Sequence, residues 1–454
     1  MVNRKKNHAT FLIAKVKKSD YYLRDLLFSI SQNCKEVSHD NNKYEYSLRT
    51  ISKVILSFYC PPITLFFYPL QYMDWNMDKC VHYLSDRVCY IASDKTWIES
   101  KAIQQLVTTA QLPEMAYVTG MPDLHPGRGY PIGAAFFSVN RFYPALVGND
   151  IGCGMTLFQT EFNHSKLNLD KIEKKLSEMS DIAPIEWLID NLPADMQNHP
   201  FAHSLGSIGG GNHFAEFQQI DQVINQALFT NSGINKKQLL LLVHSGSRGL
   251  GQSILRAHTE QFGHQGLVAN TDAANDYLQA HDHALNYAKL NRHLIGHRMM
   301  EQIHTQGTVI TDVNHNLVEP CKLYNQQGWL HRKGATPAHH DIVVIPGSRG
   351  DHSYLVKPII SELSLHSLPH GAGRKWMRTE CKGRLSHRFT PLQLSRTALG
   401  SRIICANKQL IYEEAPQSYK SIETVIESMR SLGLIEVIAR LKPVITYKTS
   451  GEIA

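Results

Sequence analysis

Between residues 120 and 250 the sequence alternates glycine-rich loops with short apolar runs, and this alternation constrains the fold more than any other feature. The loops read GMPDLHPGRGYPIG, GNDIGCGM, SIGGGNHFAE and HSGSRGLGQ, and they stand beside apolar runs of strand length such as AAFFSV and LLLLV. Short apolar runs separated by glycine and proline are typical of strands that carry polar loop residues to a shared rim. The pattern therefore predicts sheets with chemistry at their ends.

The rest of the chain adds helices and further strands. Residues 254–304 contain no proline and place apolar residues at helical spacing, which predicts two or three helices. A helix is expected near 421–440, before a last strand, PVITYK. Near the start of the motif-bearing region, Val88 to Ala92 predicts a strand, and Ser93 and Asp94 are expected to cap a helix after it. The predicted fold class is α+β, with β-sheets surrounded by helices.

Residues 1–76 differ in composition from the remainder. They hold 11 Lys and Arg against 6 Asp and Glu, so they supply +5 of the formal charge of +7, and they carry none of the glycine-rich motifs. Met77 offers a good start for the motif-bearing part of the chain. We expect an N-terminal extension over 1–76, disordered or not natively translated, and one large catalytic domain over 77–454.

Charge and cysteine usage exclude several classes of protein. Residues 77–454 are close to electrical neutrality, so global charge gives no evidence for nucleic-acid binding. No signal-peptide pattern opens the chain, and its most apolar stretch, 54–70, is short and broken by prolines. The eight cysteines form no CxxC pair, which favours reduced thiols in the cytoplasm over a disulfide framework. We therefore expect a cytoplasmic protein without a membrane span.

Five potential metal ligands lie in separate glycine- or turn-flanked loops. An aspartate and a cysteine stand in NDIGCG, and three histidines stand in GGNHF, VHSGSRG and DVNHN. A carboxylate, a thiolate and three imidazoles can hold Mn, Fe, Co or Zn, with the thiolate able to bridge two ions. Any one of the histidines could instead be a surface or core group, but the flanking glycines allow close approach to a ligand. The five residues are Asp150, Cys153, His213, His244 and His315.

A second constellation is PHGAGRKWMR. His370 followed by Gly-Ala-Gly-Arg combines a potential nucleophile, accessible backbone amides and a guanidinium, which suits attack on phosphorus. The alternative is an ordinary glycine turn with a solvated arginine. The segments HRKGATPA and IPGSRGDHS pose the same choice, because Lys333, Ser348, Arg349 and Ser353 could hold phosphate or line an ordinary loop.

Two further signals carry less weight. His293 and His297 are four residues apart on a predicted helix, but no acidic partner stands between them as in an HExxH motif, so we expect helix-surface histidines. The sequence has no GxxxxGKS/T motif and no properly placed GxGxxG. Any nucleotide must therefore bind without a P-loop or a Rossmann turn.

Taken in order, PDLHPGRGYPIG, GNDIGCG, GGGNHFAE, HSGSRGLG, NHN, HRKGATPA, IPGSRG and PHGAGR closely resemble the serial motifs of the RtcB family of RNA ligases. The resemblance runs from about Leu84 to Lys448. Details such as NDIGCGM, SIGGGNHFAE and LPHGAGRKW are more similar to the branch coupled to release factor H than to the tRNA-splicing branch. The segment HPGRGYPIG departs from the splicing ligases, which usually carry a different residue after the histidine.

The resemblance implies two Mn(II) ions per active site and GTP as co-substrate. Asp150, Cys153 and His213 would hold one ion, and Cys153, His244 and His315 would hold the other. His370 corresponds to the family's guanylylated histidine.

The resemblance also implies nucleotide and RNA contacts. A carboxylate can accept from N1–H and N2–H of guanine, and an ammonium can donate to its O6 and N7 edge, so Glu216 and Lys448 suit this base. The implied RNA-binding residues are Arg248, Lys333 and Arg378. The implied GTP-binding residues are Asn212, His213, Phe214, Glu216, His315, Asn316, Pro346, Gly347, Ser348, Arg349, Ser353, His370, Gly371, Ala372, Gly373 and Lys448.

The implied activity joins an RNA 3′-phosphate or 2′,3′-cyclic phosphate end to a 5′-hydroxyl end through a histidine–GMP intermediate. RNA repair, including repair of ribosomal RNA alongside a release-factor-H-like protein and the ribosome, is the implied setting. One alternative is a metal-dependent cyclic phosphodiesterase that ligates nothing, and the other is a non-catalytic RNA- or ribosome-binding factor. His370, Glu216 and Lys448 favour ligation, and a silent factor would need neither five intact ligands nor a nucleophile.

Overall fold

The computed structural model describes residues 80–451, and two large sheets form the framework of this region. The strands are β1 (Val81–Ser85), β2 (Val88–Ile91), β3 (Met115–His125), β4 (Ile132–Ser138), β5 (Arg141–Phe142), β6 (Gly154–Asn163), β7 (Phe214–Val223), β8 (Gln238–Ser245), β9 (Leu267–Val268), β10 (Gly307–Asn314), β11 (Asn316–Leu323), β12 (Gln326–Lys333), β13 (Ala335–Pro337), β14 (Val343–Pro346), β15 (Ser353–Pro358), β16 (Ser367–Pro369), β17 (Arg402–Cys405) and β18 (Ile435–Thr449).

Helices of very different length connect and cover these strands. They are α1 (Ser100–Thr109), α2 (Pro144–Val147), α3 (Leu169–Ser177), α4 (Ile185–Asn191), α5 (Gln226–Asn231), α6 (Gly249–Phe262), α7 (Asp272–Gln302), α8 (Arg378–Leu385), α9 (Pro391–Leu394), α10 (Lys408–Glu413) and α11 (Ile422–Ser431).

The larger sheet has eight strands, in the order β10-β6-β8-β7-β18-β15-β14, with β17 beside β18. The smaller has six strands, in the order β1-β2-β3-β4-β12-β11. Two-stranded ribbons join β13 to β16 and β5 to β9. The pairs β2–β3 and β17–β18 are parallel, and the others are antiparallel.

The run LLLLV is apolar without alternation because both faces of β8 are buried. Leu239 and Leu241 pack in the same cluster as Ile295 and Met299 of α7. Leu240 points to the opposite face and belongs to the core shared with β15 and β18. Each such leucine stabilises the fold by about 1.5–3 kcal/mol relative to an exposed one, so the central strand is firmly anchored.

The predicted α+β class is confirmed, and several predicted elements are found. The strand predicted from Val88 is β2, and the helices predicted within 254–304 are α6 and α7. The segment PVITYK lies inside β18. The expected cap at Ser93 and Asp94 is wrong, because these residues form a turn in which Thr96 N donates to Ser93 O. The next helix, α1, begins only at Ser100.

The helix expected near 421–440 is correct only in its first part. It ends at Ser431, where the backbone amides of Gly433 and Leu434 donate to the carbonyl oxygens of Arg430 and Met429. Gly433 has a φ of +65°, the left-handed conformation that commonly terminates helices. The remaining residues join β18, where apolar side chains pack between neighbouring strands.

Three expectations concern properties beyond the fold. The extension predicted over 1–76 lies outside the described residues. Within residues 80–451 no helix combines the length and apolar character that crossing a bilayer requires. The cysteines there, Cys80, Cys89, Cys153, Cys321, Cys381 and Cys405, are all free thiols.

Candidate active site

Neighbouring strands of the larger sheet bring four of the five candidate metal ligands to one edge. Cys153 directly precedes β6, and His213 directly precedes β7. His244 lies at the end of β8, and His315 directly follows β10. Because these strands pair antiparallel, the starts of β6 and β7 lie beside the ends of β8 and β10. The alternation of strands and polar loops therefore produces a shared rim, as the sequence predicts.

The candidate ligand atoms converge on the sulfur of Cys153. Its Sγ lies 3.3 Å from Nε2 of His213, 3.3 Å from Nε2 of His244 and 3.2 Å from Nε2 of His315. Asp150 lies at the side of His213, with Oδ2 2.9 Å from its Nε2. A sulfur surrounded by three imidazole nitrogens and a carboxylate is a donor set that two metal ions could share.

Burial sets the protonation of these groups. Desolvation lowers the pKa of His244 and of His315 well below the ordinary value, so both imidazoles are neutral and offer lone pairs. Burial, reinforced by the charge of Asp150, raises the pKa of the Cys153 thiol well above its ordinary value. A cation among these groups would favour the thiolate and offset the buried negative charge. The donor set therefore fits a divalent metal.

Arg292 of α7 is fully buried and ties the ligand loops together from behind. Its Nη1 donates to the carbonyl oxygens of Gly152 at 2.7 Å and Ser245 at 3.2 Å, and its Nη2 donates to Asn314 Oδ1 at 2.9 Å. Each of these acceptors is adjacent in sequence to a candidate ligand. An ion pair of 2.6 Å with Asp312 compensates the buried guanidinium. Sequence reasoning missed this residue because nothing marks a helical arginine as buried.

His370 follows β16 and lies beside the candidate metal ligands, its ring centroid 4.9 Å from that of His315. Its Nδ1–H donates to Oδ2 of Asp123 at 2.6 Å, and its backbone amide donates to the same oxygen at 3.1 Å. Asp123 lies on β3 of the smaller sheet and is fully buried. A proton held on Nδ1 leaves the lone pair on Nε2, which is what a nucleophilic imidazole requires.

Lys420 and Gly373 hold this aspartate in place. Nζ of Lys420 donates to the carbonyl oxygens of Pro122 at 3.0 Å and Leu124 at 2.6 Å, which flank Asp123. Burial lowers the pKa of Lys420 to about 7. Gly373 has a φ of +71°, and a Cβ there would lie 2.2 Å from the carbonyl oxygen of Asp123, so only glycine fits. Asp123 lies within the motif PDLHPG, yet sequence reasoning assigned it no role.

Two cavities meet at His370. One, of about 670 Å³, is lined by Asp150, Cys153, His213 and His315 among others. The other is a cleft of about 60 Å³ on the side of the HGAGR loop. The cleft is lined by backbone and side chains of the HGAGR and IPGSRG loops, with Glu216 and Lys448 on its wall. His370 lines both spaces and can face a nucleotide and a second substrate.

Most of the residues implied in GTP binding line the cleft. His213, His315 and Asn316 instead line the larger cavity. Ser353 borders neither cavity, but its hydroxyl accepts from Gln218 at 3.0 Å, and Gln218 also donates to Glu216 at 2.6 Å. Those in the cleft are Asn212, Phe214, Glu216, Pro346, Gly347, Ser348, Arg349, His370, Gly371, Ala372, Gly373 and Lys448.

Glu216 and Lys448 reach the cleft from the neighbouring strands β7 and β18. Thr446 pairs with Glu216 in the register of these strands and donates its hydroxyl to the carboxylate. Burial raises the pKa of Glu216 to about 7, although Thr446, Gln218 and Lys448 oppose the shift. Burial lowers the pKa of Lys448 to about 8. Ionisable groups this deep are costly, and such groups cluster at functional sites.

Two residues that sequence reasoning missed complete the cleft wall. Glu414 is buried and lies 3.1 Å from Nη1 of Arg374, and Tyr419 donates its hydroxyl to the same carboxylate. Burial raises the pKa of Glu414, but the charges of Lys448, Arg378 and Arg374 bring it below the ordinary value. The guanidinium of Arg374 is thus engaged by Glu414, which holds the HGAGR loop in place. Arg374 borders neither cavity. No glycine-rich motif marks Glu414 or Tyr419 in the sequence.

The three residues implied in RNA binding all line the larger cavity. Arg248 caps α6 with a φ of +56°, a strained conformation for a residue with a side chain, and its Nε donates to Ser207 at 3.2 Å. Burial lowers the pKa of Lys333 to about 8. Arg378 lies against Gly211 and donates to Oδ1 of Asn212 at 3.3 Å. The cavity therefore has three cationic side chains on its walls.

The two histidines set aside in the sequence lie on α7 away from this cluster. His293 is half-buried and lies 3.7 Å from a carboxylate oxygen of Asp312, and His297 is exposed beside Trp187. Neither one borders the two cavities.

The candidate ligands and His370 fit the active site of a metal-dependent enzyme. A model of the family described as tRNA-splicing ligase RtcB matches residues 105–188 and 190–449. The chain therefore belongs to the RtcB family of RNA ligases, and it is a ligase.

Individual relatives agree with this assignment. RNA-splicing ligase RtcB2 of Escherichia coli strain ATCC 25922 is 61% identical over 375 residues, 83% of this chain and 99% of the relative. RNA-splicing ligase RtcB1 of the same strain is 29% identical over 415 residues, 77% of this chain and 95% of the relative. The tRNA-splicing ligase RtcB of Nanoarchaeum equitans is 29% identical over 456 residues, covering 81% of this chain and 94% of the relative.

Proposed function

We propose that this chain joins RNA 3′-phosphate or 2′,3′-cyclic phosphate ends to 5′-hydroxyl ends, using GTP to form a GMP adduct on His370. The observation that carries the proposal is the position of His370, which lines both the cleft of the HGAGR loop and the cavity above the candidate metal ligands. A residue that must take GMP on one side and deliver it to RNA on the other has to border both spaces.

The chain's own residues would supply the nucleophile and fix the position of its proton. Asp123 keeps the proton on Nδ1 of His370, so Nε2 attacks the α-phosphorus of GTP, pyrophosphate leaves and an N–P bond forms. Asp123 then stabilises the cationic ring character that develops. The RNA 3′-phosphate oxygen displaces the imidazole and takes the GMP. The 5′-hydroxyl of the second end attacks the RNA phosphorus, GMP leaves, and the hydroxyl proton passes to the solvent.

Asp150, Cys153, His213, His244 and His315 would hold two divalent ions, which we propose to be Mn(II). When bound, the ions supply charge compensation for the phosphates and aid opening of a cyclic end. Glu216 and Lys448 would select guanine in the cleft, and Arg248, Lys333 and Arg378 would hold RNA phosphates.

The cellular setting we propose is RNA repair in the cytoplasm, including repair of ribosomal RNA in concert with a release-factor-H-like protein. Support comes from the motifs NDIGCGM, SIGGGNHFAE and LPHGAGRKW, which resemble the branch coupled to release factor H. The chain is also more similar to the second of two ligases of one strain than to the first, 61% against 29% identical.

Ligation is distinguished from simple phosphodiesterase activity by an end-joining assay. An RNA with a 2′,3′-cyclic phosphate and a 5′-hydroxyl RNA are incubated with the protein and Mn(II), with and without GTP. We expect a joined product only with GTP. Opening of the cyclic end with no joining under either condition would favour the phosphodiesterase.

Replacing Asp123 with asparagine is expected to slow formation of the GMP adduct by at least ~10², because an amide holds the imidazole less firmly and offers no negative charge. The measurement is single-turnover labelling with α-labelled GTP. Asp341→Asn, at an exposed site, is the control with the same chemical change. Equal labelling by both variants would show that Asp123 does not orient His370.

A chain beginning at Met77 is expected to join RNA ends as fast as the full chain, because residues 1–76 carry none of the candidate ligands or nucleotide contacts. Joining rates and thermal melting of the two proteins are compared. A truncated protein that melts normally but fails to ligate would assign the extension a part in the reaction.

A further inference from the structure

The segment from Arg374 to Arg388, directly after the HGAGR loop, concentrates positive charge. It holds six Lys and Arg and one Glu in 15 residues, whereas the rest of 77–454 holds 30 Lys and Arg against 33 Asp and Glu. The near neutrality of the catalytic region is therefore an average that conceals one strongly basic segment. Such local clustering, unlike net charge, is the electrostatic signature expected where a polyanion lies.

The geometry connects this segment to the cavity. Arg378 is the first residue of α8 and lines the larger cavity, with its guanidinium 3.3 Å from Asn212. Lys382 is exposed and lies four residues further along the same helix, so it extends from Arg378 along one face, about 5–6 Å away. Arg388 is also exposed and lies three residues after the end of α8, with its guanidinium 6.0 Å from the centre of the Phe389 ring.

The other flank of α8 is occupied differently. Glu380 pairs with Arg384 at 3.1 Å, and the guanidinium of Arg384 lies 5.2 Å from the centre of the Trp376 ring. Cys381 and Leu385 are buried and fix the helix to the body of the protein. Glu380 therefore compensates the charge of Arg384 on the far flank. On the flank that faces the cavity, Arg378 lies 3.9 Å from a carboxylate oxygen of Glu414, and Lys382 is exposed.

We propose that Arg378, Lys382 and Arg388 form a phosphate track that binds the single-stranded RNA leading to the reactive end. This inference rests on the proposed function, because it assigns a surface to the RNA of that reaction. Charge complementarity and continuity with the cavity favour RNA as the occupant, since Arg378 lines the same cavity as His370.

The test compares binding of a fluorescently labelled single-stranded RNA with a 3′-phosphate to three full-length proteins. They are the wild type, Lys382→Gln with Arg388→Gln, and Lys236→Gln with Lys237→Gln. The last pair loses the same charge at exposed positions preceding β8, at the opposite end from His244. Anisotropy gives the dissociation constant over a range of salt concentrations.

We expect the track variant to bind severalfold more weakly at low salt, with the slope of log Kd against log salt reduced by about 1.4 for two lost phosphate contacts. The control variant should match the wild type. Covalent GMP labelling should be equal in all three, since Lys382 and Arg388 do not border the nucleotide cleft.

Unchanged affinity and slope in the track variant would overturn the proposal, as would equal losses in both variants. Binding is measured without catalysis, so the assay can detect or exclude RNA binding by the track even in a protein that joins no RNA ends. Failure of the proposed function and failure of the track are thus separate results. If the track variant instead bound an acidic peptide more weakly than the wild type does and bound RNA with unchanged affinity, the basic residues would belong to a site for a protein partner. That result would contradict the RNA track.

Discussion

His370→Ala is expected to abolish covalent GMP labelling and to slow joining of 3′-phosphate and 5′-hydroxyl ends by at least ~10³, about 4 kcal/mol of transition-state stabilisation. The reason is that positioning cannot replace a nucleophile, and no other described histidine borders both cavities. Because His370 is not among the candidate metal ligands, the variant should bind metal as the wild type does. Joining rates and metal content are the two measurements.

RNA that already carries GMP on its 3′ end should partly escape this defect, because it brings the group that His370 would deliver. His297→Ala, at an exposed position on α7, is the matched control and should ligate normally. If the His370 variant still forms the adduct and joins ordinary ends at the wild-type rate, the family mechanism does not apply to this chain.

Cys153→Ser is expected to impair both metal positions and to lower the joining rate by at least ~10². The sulfur lies within 3.3 Å of three imidazole nitrogens, and a neutral hydroxyl is a far poorer bridging ligand than a thiolate. The change in volume is small, so the fold should persist. Metal content by mass spectrometry, with thermal melting, checks the prediction.

Cys89→Ser provides the control, because Cys89 is also buried but lies on β2 next to Thr119. It should keep its metal and its activity. Full metal occupancy and full activity in the Cys153 variant would mean that Cys153 is only a small core residue.

The part of the candidate site that could be predicted from the sequence consists of metal-ligand residue types that stand in flexible, glycine-rich loops. Cys153 and His213 stand in glycine-rich loops, and the antiparallel pairing of β6, β7 and β8 then forces these loops together. The register of the paired strands thus brings motifs that are far apart in the sequence into one cluster. Strand β8 was predictable from its apolar run LLLLV, because both of its faces are buried.

The supporting residues could not be predicted, because their roles depend on long-range burial. Arg292 is an ordinary helical arginine in the sequence, yet it donates to three ligand loops. Asp123 and Lys420 are far apart in the chain and meet only when the smaller sheet packs against the loop after His370. The sequence predicts too long a helix at α11, because pairing in β18 stabilises the residues after Gly433 more than continuing the helix would.

The GMP adduct on His370 can be detected by mass spectrometry of the intact protein after incubation with GTP and Mn(II). We expect a mass increase of one GMP, located on His370 by peptide mapping, lost in acid as expected of a phosphoramidate, and discharged by RNA with a 3′-phosphate. An unmodified protein that nevertheless joins RNA ends, or an adduct on a lysine, would contradict the proposed mechanism.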